Sequence, residues 1–310
     1  MNRATALGVG AALFSVAIWA NFLVTTGGAT AGGLGVVELG LIRAGLCSAV
    51  CLPFALRVGL YPKGMPLWRF LVMTIGASAG FLFLVPYGFT LAPPADSGIF
   101  APGTLPLWSA LVALIFLGER ISALRWLGFL LIAAGVMGVG GFDALSRAGD
   151  GVWIGYLCFM GGSFFFAFYA AAQRNSGLNA VEATAMVNVW TLPVALVVSA
   201  IYGVDFSPVG VGAIAWVGFA QFCSGVVAVI TFTYAAQTLG PSKGAAFIAL
   251  TPAVVAVASD WFLGQPASSM IWVGVAVVSV GVLIASGVFD RREERRVRVL
   301  RAPPPGVYLG

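Results

Sequence analysis

Arg43 is the residue of this sequence whose chemistry is hardest to reconcile with its surroundings, because it lies within the long apolar run that ends near Leu56. A charged side chain inside an apolar helix is costly, so it is expected to face a partner, a cavity or a ligand. Arg43 could bind the carboxylate of a solute, or backbone carbonyls could hold it near the outer end of its helix. Glu38 lies five residues earlier, so the two side chains do not share a helix face well.

Eight other polar or aromatic residues lie near the middle of apolar segments and could line a cavity. A binding pocket combines mostly apolar walls with a few polar groups that orient the ligand. Trp and Tyr are also common at membrane interfaces, so anchoring or packing is the alternative for each aromatic residue. The candidates are Trp19, Asn21, Tyr87, Trp108, Tyr169, Asn188, Trp190 and Gln221.

Two prolines and three acidic residues could shape or close such a cavity. Pro106 and Pro252 are predicted to lie inside helices, where a proline frees a carbonyl group and permits a bend. We expect them to form cavity walls or hinges, with simple packing kinks as the alternative. For the acidic residues we expect capping or pairing across a gate, with proton coupling as the alternative. They are Glu38, Glu119 and Asp260.

Residues for metal, nucleotide or hydrolytic chemistry are missing or misplaced. The sequence has no histidine, and its four cysteines all lie in apolar runs. Cys47 and Cys51 share a helix face, but no third ligand is near, which favours packing over a metal site. Residues 76–80 (GASAG) fit the G-x-S-x-G pattern, yet that pattern needs a strand–turn–helix elbow and a histidine base. No P-loop, dinucleotide fingerprint or zinc motif is present, and we predict no enzyme activity, metal or cofactor.

The composition requires membrane-spanning helices to position these residues. Apolar residues make up 60% and charged residues 9% of the chain, and the mean hydropathy is +1.00, which is unlike a soluble domain. A crossing needs roughly 20 mainly apolar residues, and unpaired backbone groups exclude open sheets from lipid. Asp96 is expected to be the N-cap of the fourth helix. We predict ten helices joined by short turns, near residues 4–26, 35–56, 67–91, 95–117, 123–142, 151–173, 180–203, 211–237, 242–263 and 268–289.

The basic residues predict that both termini are cytoplasmic. With ten crossings and a cytoplasmic N-terminus, nearly all Lys and Arg residues fall on the cytoplasmic side, which is a strong positive-inside pattern. Arg147 falls outside and Arg43 within the membrane. The basic segment 290–310 is predicted to be a disordered tail that docks on anionic lipid headgroups. Binding of nucleic acid by this tail is the disfavoured alternative.

An internal repeat relates the two halves of the sequence. The segment that begins at Gly98 matches the one that begins at Gly244 at a constant shift of 146 residues, including a proline, a Phe-Leu-Gly triplet and a tryptophan. Each copy, 4–142 and 151–289, is predicted to hold five helices. Because five is odd, the second copy crosses the membrane in the opposite direction. Such an inverted-topology repeat is typical of secondary transporters that work by alternating access.

Residues 116–139 (FLGERISALRWLGFLLIAAGVMGV) resemble a recurring feature of EamA-like members of the drug/metabolite transporter superfamily. That feature is a Gly-Glu-Arg turn, followed by Trp-Leu-Gly and a glycine-rich helix that ends in Ala-Gly-Val. The segment IWANF at 18–22 and Arg43 are also similar to features of the family. The resemblance implies a ten-helix, 5+5 inverted-repeat carrier of amino acids, nucleobases, other metabolites or drugs. In the second copy, Gly264-Gln265-Pro266 replaces the Gly-Glu turn and removes a charge.

We therefore expect a secondary transporter of small organic metabolites. The aromatic candidates favour export of amino acids or related amphipathic solutes across a bacterial-type inner membrane. The expected partners are the small-molecule substrate and membrane lipids, without nucleic acid, and the chain is expected to be a monomer or weak dimer. The alternatives are a non-transporting membrane protein, such as a lipid-handling enzyme or a scaffold, and a channel.

Overall fold

The computed structural model describes residues 3–117, 121–146, 150–174 and 176–289, and the regular structure in these ranges is helical. The helices in chain order are α1 (Arg3–Ala31), α2 (Val36–Val58), α3 (Leu67–Ile75), α4 (Phe81–Phe89), α5 (Pro94–Phe100), α6 (Leu105–Leu117), α7 (Ala123–Ser146), α8 (Val152–Arg174), α9 (Ala180–Tyr202), α10 (Val211–Phe222), α11 (Ala228–Leu239), α12 (Pro241–Ala246), α13 (Thr251–Leu263) and α14 (Ser269–Ala285).

Most of these helices belong to membrane-spanning segments. Among the described residues, eight helical segments are long and apolar enough to cross a membrane, and α14 is a shorter apolar helix of 17 residues. A π-helical turn, Gly76–Gly80, joins α3 to α4, so that residues 67–89 form one further helical stretch. Large apolar side chains such as Trp261 and Phe262 are exposed, as expected for helices surrounded by lipid. The chain is an all-α membrane protein.

Four of the predicted helices are interrupted near their middle. π-helical turns lie at Gly76–Gly80 and Cys223–Val227, non-helical turns at residues 101–104, and a 3₁₀ turn at Phe247–Leu250. Glycine and proline occur in or beside these turns, and both weaken the regular i→i−4 hydrogen-bond ladder. A shift of 147 residues carries the first π turn onto the second, and a shift of 146 carries residues 101–104 onto Phe247–Leu250.

Pairs of helices from the two halves make the most extensive contacts in the described structure. α2 packs on α9, α7 on α14, and α5 on α13. Likewise α1 packs on α11 and α4 on α8. A Cβ atom added to Gly128 in α7 would lie 2.5 Å from the Ala285 nitrogen of α14 and 2.7 Å from the Gly281 oxygen. Glycine therefore allows the two backbones to touch, as small residues commonly do between membrane helices.

The main apolar core lies where α1, α4, α5, α8 and α13 meet. It includes Phe89, Ile99, Phe100, Phe159 and Val255, all of which are buried. Every residue of α5 is buried. A smaller cluster around Met73 and Met186 packs between α3, α8 and α9. The space between these two clusters is not filled by side chains, and it forms the cavity described next.

Candidate functional site

A partly open cavity of about 120 Å³ lies between the two halves of the chain. On the same measure a single water needs roughly 10–15 Å³, so the cavity has room for several waters or a small solute. Both halves contribute to its walls, including residues in the turns at 101–104 and Phe247–Leu250. The lining residues are Trp19, Phe22, Leu23, Arg43, Ala77, Phe81, Ala101, Pro102, Leu105, Ser163, Phe166, Tyr169, Thr184, Val187, Asn188, Thr191, Ser224, Gly225, Val229 and Ile248.

One wall of the cavity is a continuous series of aromatic rings from α1, α4 and α8. Phe22 stacks on Phe81 with their ring centroids 5.9 Å apart. Phe81 contacts Phe166 at 5.8 Å, and Phe166 contacts Tyr169 at 5.3 Å. Such a wall suits an apolar or aromatic group of a ligand.

Arg43 of α2 provides the positive charge of the cavity. Its Nη1 donates to the Ser224 hydroxyl at 2.7 Å and to Gln221 Oε1 at 3.0 Å. The guanidinium carbon lies 5.3 Å from the centroid of the Phe22 ring, which is a cation–π distance. Among the described residues, the hydrogen-bond partners of Arg43 are neutral groups. The cation is therefore solvated by dipoles rather than neutralised by a carboxylate.

Gln221 holds this arrangement in place from behind the cavity. Its Oε1 accepts from Arg43, while its Nε2 donates to the Thr26 hydroxyl at 3.1 Å. The Ser224 hydroxyl also donates to the Gln221 carbonyl oxygen at 3.0 Å. Because Thr26 lies in α1 and Arg43 in α2, the network joins the first half of the chain to α10 and its π turn.

Gly225 keeps space open beside the guanidinium. A Cβ atom at this position would lie 3.1 Å from Arg43 Nη2 and 3.3 Å from Cys47 Sγ. Opposite, Asn188 Nδ2 donates to the Thr184 carbonyl at 2.8 Å and to the Gly225 carbonyl at 3.5 Å. The π-helical turn thus brings Ser224 and Gly225 to one side of the cavity, and such turns are frequent at functional sites.

The structure brings together four of the nine residues predicted to line a cavity. The four that line it are Trp19, Arg43, Tyr169 and Asn188. Gln221 does not line the cavity, but it accepts a hydrogen bond from Arg43.

The other four candidates lie elsewhere in the described structure. Tyr87 is about half exposed on the outer surface of α4. Trp108 packs edge-on against Phe164, away from the cavity lining. Trp190 donates to the Leu60 carbonyl at 2.8 Å, so it fastens the turn between α2 and α3. Asn21 does not line the cavity, and its side-chain oxygen lies 3.5 Å from the Thr25 hydroxyl.

The sequence predicted that Pro106 and Pro252 lie inside continuous helices. In the structure they do not. Each is the second residue of a helix, α6 and α13 respectively, directly after an interruption. Proline is tolerated in the first turn because the amide N–H that it lacks would have no partner there. Whether the two prolines act as hinges stays a prediction.

Of the three acidic candidates, Glu38 has a defined hydrogen-bond partner in the structure. Glu38 is buried and accepts a 2.6 Å hydrogen bond from the Asp205 amide, which ties α2 to the loop between α9 and α10. Hydrogen bonds from Ser207 lower the pKa of Asp205 itself. Asp260 is exposed near the end of α13, and Glu119 lies outside the described residues.

Asp96 is not the N-cap that the sequence predicted. The N-cap of α5 is Pro93, and Asp96 lies within the first turn of the helix. Its carboxylate is buried and accepts a 2.8 Å hydrogen bond from the Tyr156 hydroxyl. The prolines Pro93 and Pro94 place the start of α5 before Asp96, since proline favours the first helical position.

Several lining residues were missed by reasoning from sequence. Phe22, Phe81 and Phe166 form most of the aromatic wall, and Ser163 and Ser224 add hydroxyl groups. Phenylalanine carries no polar signal in an apolar helix. A signal was present for Ser224, which precedes Gly225 in the segment CSGVV, where small residues interrupt an apolar run.

Comparison with known proteins agrees with this architecture. The model of the EamA-like transporter family matches the chain twice, at residues 6–141 and 153–287. This chain belongs to the EamA-like transporter family. The basic segment at 290–310 lies outside both matches and outside the described residues.

Individual relatives of this EamA-like protein are distant. It is 26% identical over 198 residues to Protein RarD of Salmonella typhimurium, and 26% identical over 196 residues to Protein RarD of Salmonella typhi. The match covers 61% of this chain, and the chain spans 63% of the length of each of these curated relatives. One solved crystal structure superposes with a TM-score of 0.64 over 93% of this chain and 98% of that chain, at 19% identity, which shows similarity of fold.

Proposed function

We propose that this EamA-like protein is a secondary transporter that exports small amphipathic metabolites, such as amino acids or related solutes, by alternating access. The observation that carries the proposal is the central cavity. It is shared by both halves of the chain, lies beside interrupted helices, and combines a lone cation with aromatic walls. Discontinuous helices around a site near the membrane centre are a common arrangement in secondary transporters.

The pairing of helices supports an inverted repeat of two five-helix halves, 4–142 and 151–289. If residues 67–89 and α14 also cross, the chain has ten spans. Exchanging each span with the one five places later then returns α2–α9 and α7–α14 to themselves. The same exchange converts α1–α11 into α8–α4, which is also observed as a contact. Equivalent interruptions in the third and fourth spans of each half obey the same relation.

The two ends of the cavity differ, which supports alternating access. α5 and α12 open the fourth span of each half. All residues of α5 are buried, whereas Lys243 of α12 is exposed and Ala245 and Ala246 are partly exposed. We propose that the cavity is closed at the α5 end and more open at the α12 end in this state. Under an inverted repeat, the opposite state would exchange these environments.

The membrane placement follows from charge. With ten spans, the positive-inside pattern puts both termini and α12 on the cytoplasmic side of a bacterial-type inner membrane. The α12 end would then open toward the cytoplasm, as an exporter needs in order to load its solute. Membrane lipids surround the helices, and the chain functions as a monomer or weak dimer.

The test is uptake and efflux in proteoliposomes loaded with pooled metabolites, with and without a pH gradient. Saturable, protein-dependent flux of at least one solute is expected. Absence of saturable flux for every solute class would favour a lipid-handling enzyme or a scaffold. Flux that rises linearly with concentration and never saturates would favour a channel.

A further inference from the structure

We propose that the cavity selects organic carboxylates, with Arg43 binding the carboxylate group and the aromatic wall binding an apolar body. The inference deepens the proposed function and rests on it. It concerns which end of an amphipathic solute is recognised, and it predicts that a carboxylate is required whereas an amino group is dispensable.

The first step is the charge balance of the cavity. Its described lining contains Arg43 and no aspartate, glutamate or lysine. Glu38, which is on the same helix, is bonded to the Asp205 amide rather than to Arg43. The cavity therefore carries one positive charge among mostly apolar side chains, where an anion gains from pairing with it.

The second step is the geometry around the guanidinium. The hydrogen bonds to Gln221 and Ser224 use Nη1, and the Phe22 ring covers one side of the guanidinium at 5.3 Å. Next to Nη2 stands Gly225, which has no side chain, and both residues line the cavity. A planar carboxylate can approach the guanidinium from the cavity itself. Arginine binds carboxylates in pairs of parallel hydrogen bonds, and these are stronger than neutral ones.

The third step is that the arginine is held in position before a solute arrives. Gln221 is fixed by Thr26 at 3.1 Å, and Ser224 is fixed by the Gln221 carbonyl at 3.0 Å. Little ordering of Arg43 is needed on binding, which favours affinity. By contrast, an ammonium group would find only neutral acceptors near Asn188 and Thr184, together with a like charge at Arg43. A cationic amine is therefore disfavoured.

The experiment uses three sets of matched compounds that differ only in their charged groups. Each set contains an amino acid, the acid that lacks its amino group and the amine that lacks its carboxylate. The sets are alanine, propionate and ethylamine; phenylalanine, 3-phenylpropionate and phenethylamine; and tryptophan, indole-3-propionate and tryptamine. Binding to the purified full-length protein is measured by thermal stabilisation and tryptophan fluorescence, so passive permeation of weak acids and amines does not interfere.

The expected result is that, in at least one set, the acid binds at least tenfold more tightly than the amine, and at least as tightly as the amino acid. Arg43→Gln should weaken binding of that acid at least tenfold, since a charge-assisted pair is lost, and Arg43→Lys should weaken it less. Arg57→Gln is the matched control, because Arg57 is an exposed cation on the same helix, stacked on Phe54. Size-exclusion profiles establish that each variant is folded, and Ser224→Ala provides a milder second variant.

Three outcomes would overturn the proposal. An amine that binds as tightly as its matched acid would show that the carboxylate is not selected. Unchanged binding of the acid by a folded Arg43→Gln protein would remove Arg43 as its ligand. Saturable flux in the metabolite screen that is confined to solutes without a carboxylate would refute carboxylate selection and leave the transporter assignment standing. A screen without any saturable flux would reject the transporter assignment, and the inference with it.

Discussion

Asn188 and Asn21 are two asparagines in apolar helices, but only Asn188 lines the cavity. Asn188 uses its amide N–H to bind two carbonyl groups, and its side-chain oxygen accepts no hydrogen bond from the described residues. That oxygen can therefore accept one from a solute. We predict that Asn188→Ala lowers flux by about tenfold, the effect of one hydrogen bond of roughly 1–1.5 kcal/mol.

Asn21→Ala is the matched control for this prediction, because it removes the same side chain two residues from Trp19 without altering the cavity wall. Flux through Asn21→Ala should equal that of the unmodified protein in the proteoliposome assay. If both variants transport equally well, Asn188 has no part in the site. A loss confined to Asn21→Ala would place the site on a different face of α1.

Individual site residues were only partly predictable from sequence. The cost of a buried charge identified Arg43, and polarity identified Asn188. Tyr87 and Phe81 lie on the same helix, yet the tyrosine is exposed and the phenylalanine lines the cavity. In a soluble helix, polar residues mark the outer face. A membrane helix is apolar on all faces, so the sequence does not indicate which face points inward.

At the scale of elements, the positions of the eight candidate spans in the described residues were predictable, and the interruptions of the helices were not. Runs of about 20 apolar residues identify a span regardless of its local backbone geometry. The turns at residues 101–104 have a hydrogen-bond partner on another helix. Ser163, for example, donates to the Ala101 carbonyl at 2.6 Å. Such partners come from elsewhere in the fold, beyond the reach of local sequence.

The close crossing of α7 and α14 gives a prediction for Gly128. Its added Cβ would meet backbone atoms at 2.5–2.9 Å, which cannot move aside as a flexible side chain can. We predict that Gly128→Ala lowers stability by about 1–3 kcal/mol, as for an overpacked core, measured as a lower apparent Tm of the purified protein. Gly138→Ala on the same helix is the control, since its Cβ would meet only Met270 Cε at 3.8 Å. Equal Tm values for the two variants would contradict the close backbone contact.

The unequal burial of α5 and α12 gives a second prediction at this scale. In a background without the four native cysteines, single cysteines at Ala95→Cys and Ala245→Cys occupy the two short helices. Ala95 is 3% exposed, and Ala245 is partly exposed. A water-soluble maleimide should label the α12 position at least tenfold faster when no solute is present. Faster labelling of the α5 position would mean that the protein rests in the opposite state.

For the whole molecule, the charge of the cavity determines what drives transport. The described lining offers Arg43 and no carboxylate that could bind a proton. If a monocarboxylate binds Arg43, the loaded cavity is neutral and the empty cavity has a charge of +1. A full cycle then moves one negative charge with the solute. A membrane potential that is negative inside would drive such a solute outward, which agrees with export.

We therefore predict that transport of an organic carboxylate is electrogenic and insensitive to a pH gradient. A potential of 100 mV corresponds to about 2.3 kcal/mol per charge, enough for a concentration ratio of about 50 at steady state. On a solid-supported membrane, a jump in 3-phenylpropionate should give a sustained, protein-dependent current of negative charge, and Arg43→Gln should abolish it. Passive permeation of the protonated acid carries no current. Phenylalanine, which has no net charge, should give only a brief signal if it is carried.

A current that disappears when the pH gradient is removed, at constant potential, would instead indicate proton coupling. The first group to mutate would then be the buried Asp96, which accepts a hydrogen bond from Tyr156.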